Sequence, residues 1–242
     1  MNDHELAAHL ATEAGRLLLD VRAELSEAPA ADRKAQGDRR SHEFLMAALA
    51  RTRPDDAVLS EEGADNPVRL GAERVWIVDP VDGTREFSEL DRDDWAVHVA
   101  LWERGDLVAG AVALPGQGVT LATPDVRAPS VHAGAPRILV SRTRPPAVAL
   151  QVRDQLGGTL VEMGSAGAKV AAVVQGRAEV YVHAGGQYEW DSAAPVAVAR
   201  AAGLHTSRID GTPLRYNQAD PLLPDVLVCQ PQFAEAVLGA LR

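Results

Sequence analysis

The chain has 242 residues, 46% hydrophobic and 24% charged, enough to fold as one large domain or two lobes with a real core. Its formal charge of −10 argues against nucleic-acid binding by phosphate neutralisation. The single cysteine, Cys229, excludes an intrachain disulfide, and no stretch reaches the about 18 apolar residues of a membrane span. The acidic, amphipathic N-terminus lacks the pattern of a secretory signal, so a cytoplasmic protein without membrane contact is the default expectation.

Leu6, Leu10, Leu17, Leu18, Val21 and Leu25 recur at helical spacing and predict a helix over about 4–25. The stretch APAADRKAQG reads as a loop. A second helix follows from Asp38, a candidate N-cap, to Arg51, burying Phe44, Leu45, Ala48 and Leu49. AVLSEEG is a short strand ending in acids, and VWIVD is the next strand. WAVHVALWERGDLVAGAVALP predicts a hairpin turning at Arg104-Gly105-Asp106.

Residues 123–136, with three prolines and no periodicity, mark the best boundary between two halves. Beyond it, strands and helices alternate: RILVS, the helix PAVALQVRDQLG, TLVEMG, the helix SAGAKVAAVVQG, AEVYVHA, the helix DSAAPVAVARAAG, and PDVLVCQ. Gly157, Gly176 and Gly203 stand where helices stop.

The acids collect at strand ends. Glu61 and Glu62 close one strand, Asp79 and Asp82 close the next, and Asp191 stands at the start of an Ala-rich helix. These are hard oxygen donors suited to Mg²⁺, whereas the seven histidines show no zinc spacing. Crowded carboxylates repel unless a proton or a cation lies between them. An Asp-Gly pair after a strand is also ordinary turn sequence, and an acid at a helix start is an ordinary cap, so spacing alone leaves both readings open.

Three segments in order, LSEE (59–62), WIVDPVDGT (76–84) and WDSAA (190–194), resemble the signatures of the inositol monophosphatase superfamily, which are Mg²⁺-dependent, lithium-sensitive phosphomonoesterases. The resemblance implies a layered αβαβα sandwich of mixed α+β and α/β class. An N-terminal α+β half (1–127) carries Glu61 and DPVDGT, and a C-terminal α/β half (135–242) carries GSAGAK and WDSAA, with the active site between them. It also implies two or three Mg²⁺ ions held by Glu61, Asp79, the Val81 carbonyl, Asp82 and Asp191. Asp38 and Thr84 would orient the attacking water, and Gly83 and Thr84 amides would hold the phosphate. The surroundings of Asp38, Gln-Gly-Asp, depart from the family's Thr-x-x-Asp.

GSAGAK (164–169), GQYEWDSAA (186–194), DPVDGTREF, SRTRPP and PLRYNQ are most similar to the actinobacterial CysQ branch. That branch removes the 3′-phosphate of 3′-phosphoadenosine 5′-phosphate (PAP) in sulfate assimilation. A bisphosphorylated nucleotide needs positive charge beyond the metals, and Ser165 with Lys169, or Arg142 and Arg144, are candidates to supply contacts to it. Tyr188 and Trp190 are candidates to stack on a base or to pack the core. Glu62 is expected to be an accessory acid, Arg85 and Glu86 to begin a helical turn, and His98 and His183 to be structural. Inositol 1-phosphate and fructose 1,6-bisphosphate are the alternative substrates, and a non-catalytic phosphate sensor is the alternative of another class. The resemblance also allows a homodimer.

Overall fold

The computed structural model describes residues 1–143 and 145–242, so the expectation for Arg144 lies outside the described residues. The first half pairs two long helices, α1 (Asp3–Glu24) and α2 (Ala30–Thr52), with strands β1 (Ala57–Ser60), β2 (Arg74–Asp82), β3 (Ala96–Glu103), β4 (Asp106–Leu114) and β5 (Val119–Ala122). A short helix α3 (Thr84–Ser88) follows β2 directly. The second half comprises β6 (Arg137–Ser141), α4 (Ala147–Leu156), β7 (Thr159–Met163), α5 (Ala166–Val174), β8 (Val180–Tyr188), α6 (Glu189–Ala201), β9 (His205–Ser207), β10 (Leu222–Cys229) and α7 (Ala234–Ala240).

The strands form two five-stranded sheets, ordered β1-β2-β3-β4-β5 and β7-β6-β8-β10-β9. Among the described residues only β1 with β2, and β6 with β7 and β8, run parallel. Strand β2 shows how the layers arise. Trp76 and Val78 join the core beneath α1 and α2, with Leu6, Leu10, Leu18 and Leu45. Val75 and Ile77, on the opposite face, join the core around α5 and α6, with Val173, Ala193 and Val196. The two-residue period of the strand thus splits one apolar run between two cores. A third core, including Val152, Val182 and Val237, seats α4 and α7 on the outer face of the second sheet. The order of layers is helix, sheet, helix, sheet, helix.

Two expectations need correction. Residues 30–37 are helical, so Asp38 lies inside α2 rather than at its start. The stretch AADRKAQ consists largely of good helix formers, and Gly37 is accommodated because the Phe87 ring fills the space of a side chain: a Cβ there would lie 2.3 Å from Phe87 Cε1. Helix α6 begins at Glu189, two residues before Asp191, and β8 runs on to Tyr188. The strands β5 and β9 and the helix α7 were not legible as elements, being short and without a clear period. Residues 123–136 carry no regular element between the two sheets. No helix among the described residues is long and apolar enough to cross a membrane.

Candidate active site

The site begins with a bulge. In a regular strand, residues three apart point to opposite faces. In the β2–β3 ladder Asp79 pairs with His98 but Asp82 pairs with Ala96, so β2 carries one extra residue between them. Pro80, which has no N–H to give the ladder, sits within this irregularity. Asp79 and Asp82 therefore both oppose residues on one face of β3, the face turned toward α5 and α6. The Ser41 hydroxyl on α2 donates to the Pro80 carbonyl at 2.8 Å, and the Val81 N–H donates to Asp79 Oδ1 at 3.0 Å, which fixes the bulge from both sides.

Helix α6 delivers the third acid. Carboxylate oxygens of Asp79, Asp82 and Asp191 all lie within 4.8 Å of one another. Asp191 Oδ2 accepts the Tyr188 N–H at 2.6 Å, a helix-start cap that also fixes the carboxylate. Glu61, in the turn after β1, directs its carboxyl to Asp79. Asp79 and Asp82 are buried, whereas Asp191 is half-buried and Glu61 is exposed at the residue level.

Electrostatics separate these acids. Burial first, then the charges of Glu61, Asp82 and Asp191, raise the Asp79 pKa well above the usual carboxylate range. Burial and the Asp82 charge push Asp191 up to about 7. Glu61 is also raised to about 7, by enclosure of its carboxyl and by repulsion from Asp82, Glu62 and Asp38. An exposed residue with an enclosed carboxyl is what a side chain reaching inward from a surface turn produces. Asp82 is the exception. Burial opposes its charge, but His98, the Ser165 hydroxyl and the Gly167 N–H hold it down at about 2.

The contacts to Asp82 come from the other half of the chain. Ser165 Oγ and the Gly167 N–H each lie 2.5 Å from Asp82 Oδ2, and the Ala166 N–H lies 3.1 Å from Oδ1. The first amides of α5 thus face a carboxylate, as the unpartnered N–H groups of a helix start favour. Ser165 caps this helix, accepting the Ala168 N–H at 2.9 Å, with a positive φ of 47°. Gly83, with φ 84°, turns the chain from β2 into α3, and a Cβ there would sit 3.0 Å from Ser165 Cβ. The two halves meet at these two residues.

Asp38 lies on α2 beside Thr84. Burial and the Glu62 charge raise its pKa to about 6, against the lowering effect of the Thr84 hydroxyl and Lys34. The Thr84 hydroxyl donates to the Val81 carbonyl at 3.2 Å, with the Asp38 carboxylate as a second acceptor beside it.

The remaining candidates are placed less directly. Lys169 is buried beneath the site, its Nζ donating to the carbonyls of Ser165 (2.7 Å) and Gly164 (3.2 Å) over the Tyr181 ring. Arg142 pairs with Glu86 at 2.6 Å and Glu89 at 3.1 Å, spanning the junction between the halves. Tyr188 and Trp190 stack on each other at 4.7 Å, with Tyr188 exposed. His183 Nε2 donates to the Gly185 carbonyl at 2.7 Å, within its own strand. His98 is wholly buried, as a structural histidine would be, and touches Asp82 at 3.1 Å. Sequence reasoning also missed Ser41, whose side-chain type carries no signal of its own. His98 was missed because its place opposite Asp79 is set by the β2–β3 register, which the sequence does not show.

Comparison with known proteins gives this geometry a family. The chain is 50% identical to the 3′-phosphoadenosine 5′-phosphate phosphatase of Mycobacterium leprae, covering 100% of this chain and 94% of the relative. It is 32% identical to the 3′(2′),5′-bisphosphate nucleotidase CysQ of Escherichia coli K12, covering 76% and 79% respectively. Among solved structures, inositol monophosphatase II of Staphylococcus aureus shares the fold with a TM-score of 0.81 at 20% identity, covering 97% of this chain and 91% of that one. A sequence profile of the inositol monophosphatase family matches residues 4–242, and the chain belongs to that family.

Proposed function

We propose that the protein is a Mg²⁺-dependent phosphatase that hydrolyses the 3′-phosphate of PAP, leaving AMP and phosphate. The observation that carries this reading is the convergence of Asp79, Asp82 and Asp191 within 4.8 Å, in a chain 50% identical throughout to a relative named for that reaction. Three acids that repel one another, two of them with raised pKa, fit a site for hard cations, because bound charge removes the repulsion that burial creates. Glu61, Asp79, the Val81 carbonyl, Asp82 and Asp191 would hold two or three Mg²⁺ ions. When bound, Mg²⁺ supplies charge stabilisation for the transferring phosphoryl group and lowers the pKa of water.

The chain's own groups then do the positioning. Thr84 Oγ1, donating its proton to Asp38, presents a lone pair to the attacking water and aligns it. Asp38, at about 6, is ionised near neutral pH and accepts the proton passed through the hydroxyl. The left-handed turn at Gly83 frees the amides of Gly83 and Thr84 to face the phosphate, since the first N–H groups of a helix lack intrahelical partners. A second phosphate requires a cation outside the metal site. Arg142, held at the junction by Glu86 and Glu89, is the proposed contact, while Lys169 supports the Ser165 turn from beneath. The partners are small phosphorylated molecules, and the site residues set no limit on the alcohol that leaves.

A phosphate-release assay with PAP, inositol 1-phosphate and fructose 1,6-bisphosphate, with and without Mg²⁺, tests the reading. PAP should give the highest kcat/KM and require Mg²⁺. A kcat/KM for PAP no better than for inositol 1-phosphate would overturn the substrate assignment.

A further inference from the structure

The wholly buried imidazole of His98 touches two of the signature segments at once. Nδ1 lies 3.0 Å from the Trp190 carbonyl, the carbonyl of the peptide bond that leads into Asp191. Nε2 lies 3.1 Å from Asp82 Oδ2, off the line of a straight hydrogen bond, so this contact is chiefly electrostatic. A third element closes on the ring: a Cβ on Gly167 would lie 2.0 Å from Nε2, so α5 can approach only because residue 167 is glycine.

We propose that His98 is a positioning residue, a brace that sets the separation of Asp82 from Asp191 and fixes which Asp82 oxygen is left for a cation. Oδ2 accepts from Ser165 Oγ and the Gly167 N–H, which occupy its two lone pairs, and His98 Nε2 stands against the same oxygen. Oδ1 meets only the Ala166 N–H, at 3.1 Å, and keeps a lone pair free. The same imidazole anchors the start of α6 through Trp190, 92 positions away in sequence, so the carboxylate from β2 and the one from α6 share a rigid link. Groups that orient metal ligands from behind typically change metal affinity by roughly 10–100-fold when removed. This inference rests on Asp82 and Asp191 being metal ligands.

The test is Mn²⁺ binding to the intact chain, read from the free-ion paramagnetic resonance signal, with metal-free unfolding followed by circular dichroism. His98→Leu keeps bulk and loses both contacts. His98→Asn can reach Trp190 but not Asp82, and His98→Gln can reach Asp82. Leucine, asparagine and glutamine variants should all bind Mn²⁺ more weakly than the parent, leucine by roughly 10–100-fold, since none of them keeps both contacts of the link. Gly167→Ala, which displaces the ring without removing a polar group, should weaken binding about tenfold in a folded chain. If the leucine or asparagine variants do not fold, the glutamine and Gly167→Ala variants decide the matter. Parent-like affinity in Gly167→Ala, or in the asparagine or glutamine variant that keeps one contact alone, overturns the brace. A parent chain that binds no Mn²⁺ overturns instead the metal-site assignment beneath it.

Discussion

Asp79 and Asp82 stand on one face of β2 although they are three apart in sequence, because Asp79 pairs with His98 and Asp82 with Ala96. The extra residue turns what would be two oppositely directed side chains into a pair on one face. Their environments then diverge: Asp79 is crowded by acids, whereas Asp82 is surrounded by donors from α5 and His98.

This divergence predicts opposite stability effects from the same substitution. Asp79→Asn removes a repelling charge beside Glu61 and should raise the metal-free unfolding midpoint, by roughly 1 kcal/mol or about 2–4 °C. Asp82→Asn turns an amide N–H₂ toward groups that already donate, and should cost about 1–3 kcal/mol. Both should abolish Mg²⁺-dependent turnover. Thermal unfolding of the metal-free variants beside a turnover assay checks the pair.

Metal-free stability should fall as pH rises from about 4 toward 7. Glu61 and Asp191 at about 7, and Asp38 at about 6, bind protons more tightly folded than unfolded. Their stabilising effect is complete below the ordinary carboxylate pKa of about 4 and is lost as pH passes the raised values. Asp82, held at about 2, contributes nothing variable in this window. Glu189, also at about 7 but outside the ligand set, adds a slope that metal should not remove. Mg²⁺ should therefore raise the midpoint more at pH 8 than at pH 5.5. A Mg²⁺ shift independent of pH would contradict the acid cluster as its site.

Asp38→Asn should lower kcat by roughly 10²–10⁴-fold while leaving Mn²⁺ affinity near that of the parent. The low-pH limb that Asp38 gives the parent's rate profile, lying below its metal-free value of about 6 because bound cations favour the carboxylate, should disappear in the variant. Steady-state kinetics across pH 5–8 reads both effects.

Gly37→Ala separates packing from helix propensity. Propensity alone favours alanine by about 1 kcal/mol in an exposed helix. The 2.3 Å approach of a Cβ to Phe87 should outweigh this and destabilise by about 1–3 kcal/mol, seen as a lower unfolding midpoint.

That glycine also explains what could and could not be read from the sequence. The apolar period marked α1, the β3–β4 hairpin and the alternation after residue 137, because burial there follows local pattern. Asp38 was misplaced at a helix start because Gly37 before it looks like a break, and only the distant Phe87 ring makes it tolerable. The acids were legible by residue type and by their position at strand ends. Their common face was not, because it depends on a bulge set by pairing with β3. His98 and Ser41 were hidden for the same reason: their partners, Asp82 and the Pro80 carbonyl, are fixed by tertiary register rather than by neighbouring residues.

The most direct test of the account is PAP hydrolysis to AMP followed across a Mg²⁺ titration, in the parent and in Asp191→Asn. The account predicts no turnover without metal, saturable activation in the parent, and loss of that activation in the variant, since Asp191 completes the cluster from the far half of the chain. PAP hydrolysis that is independent of Mg²⁺, or an Asp191→Asn chain activated like the parent, would contradict it.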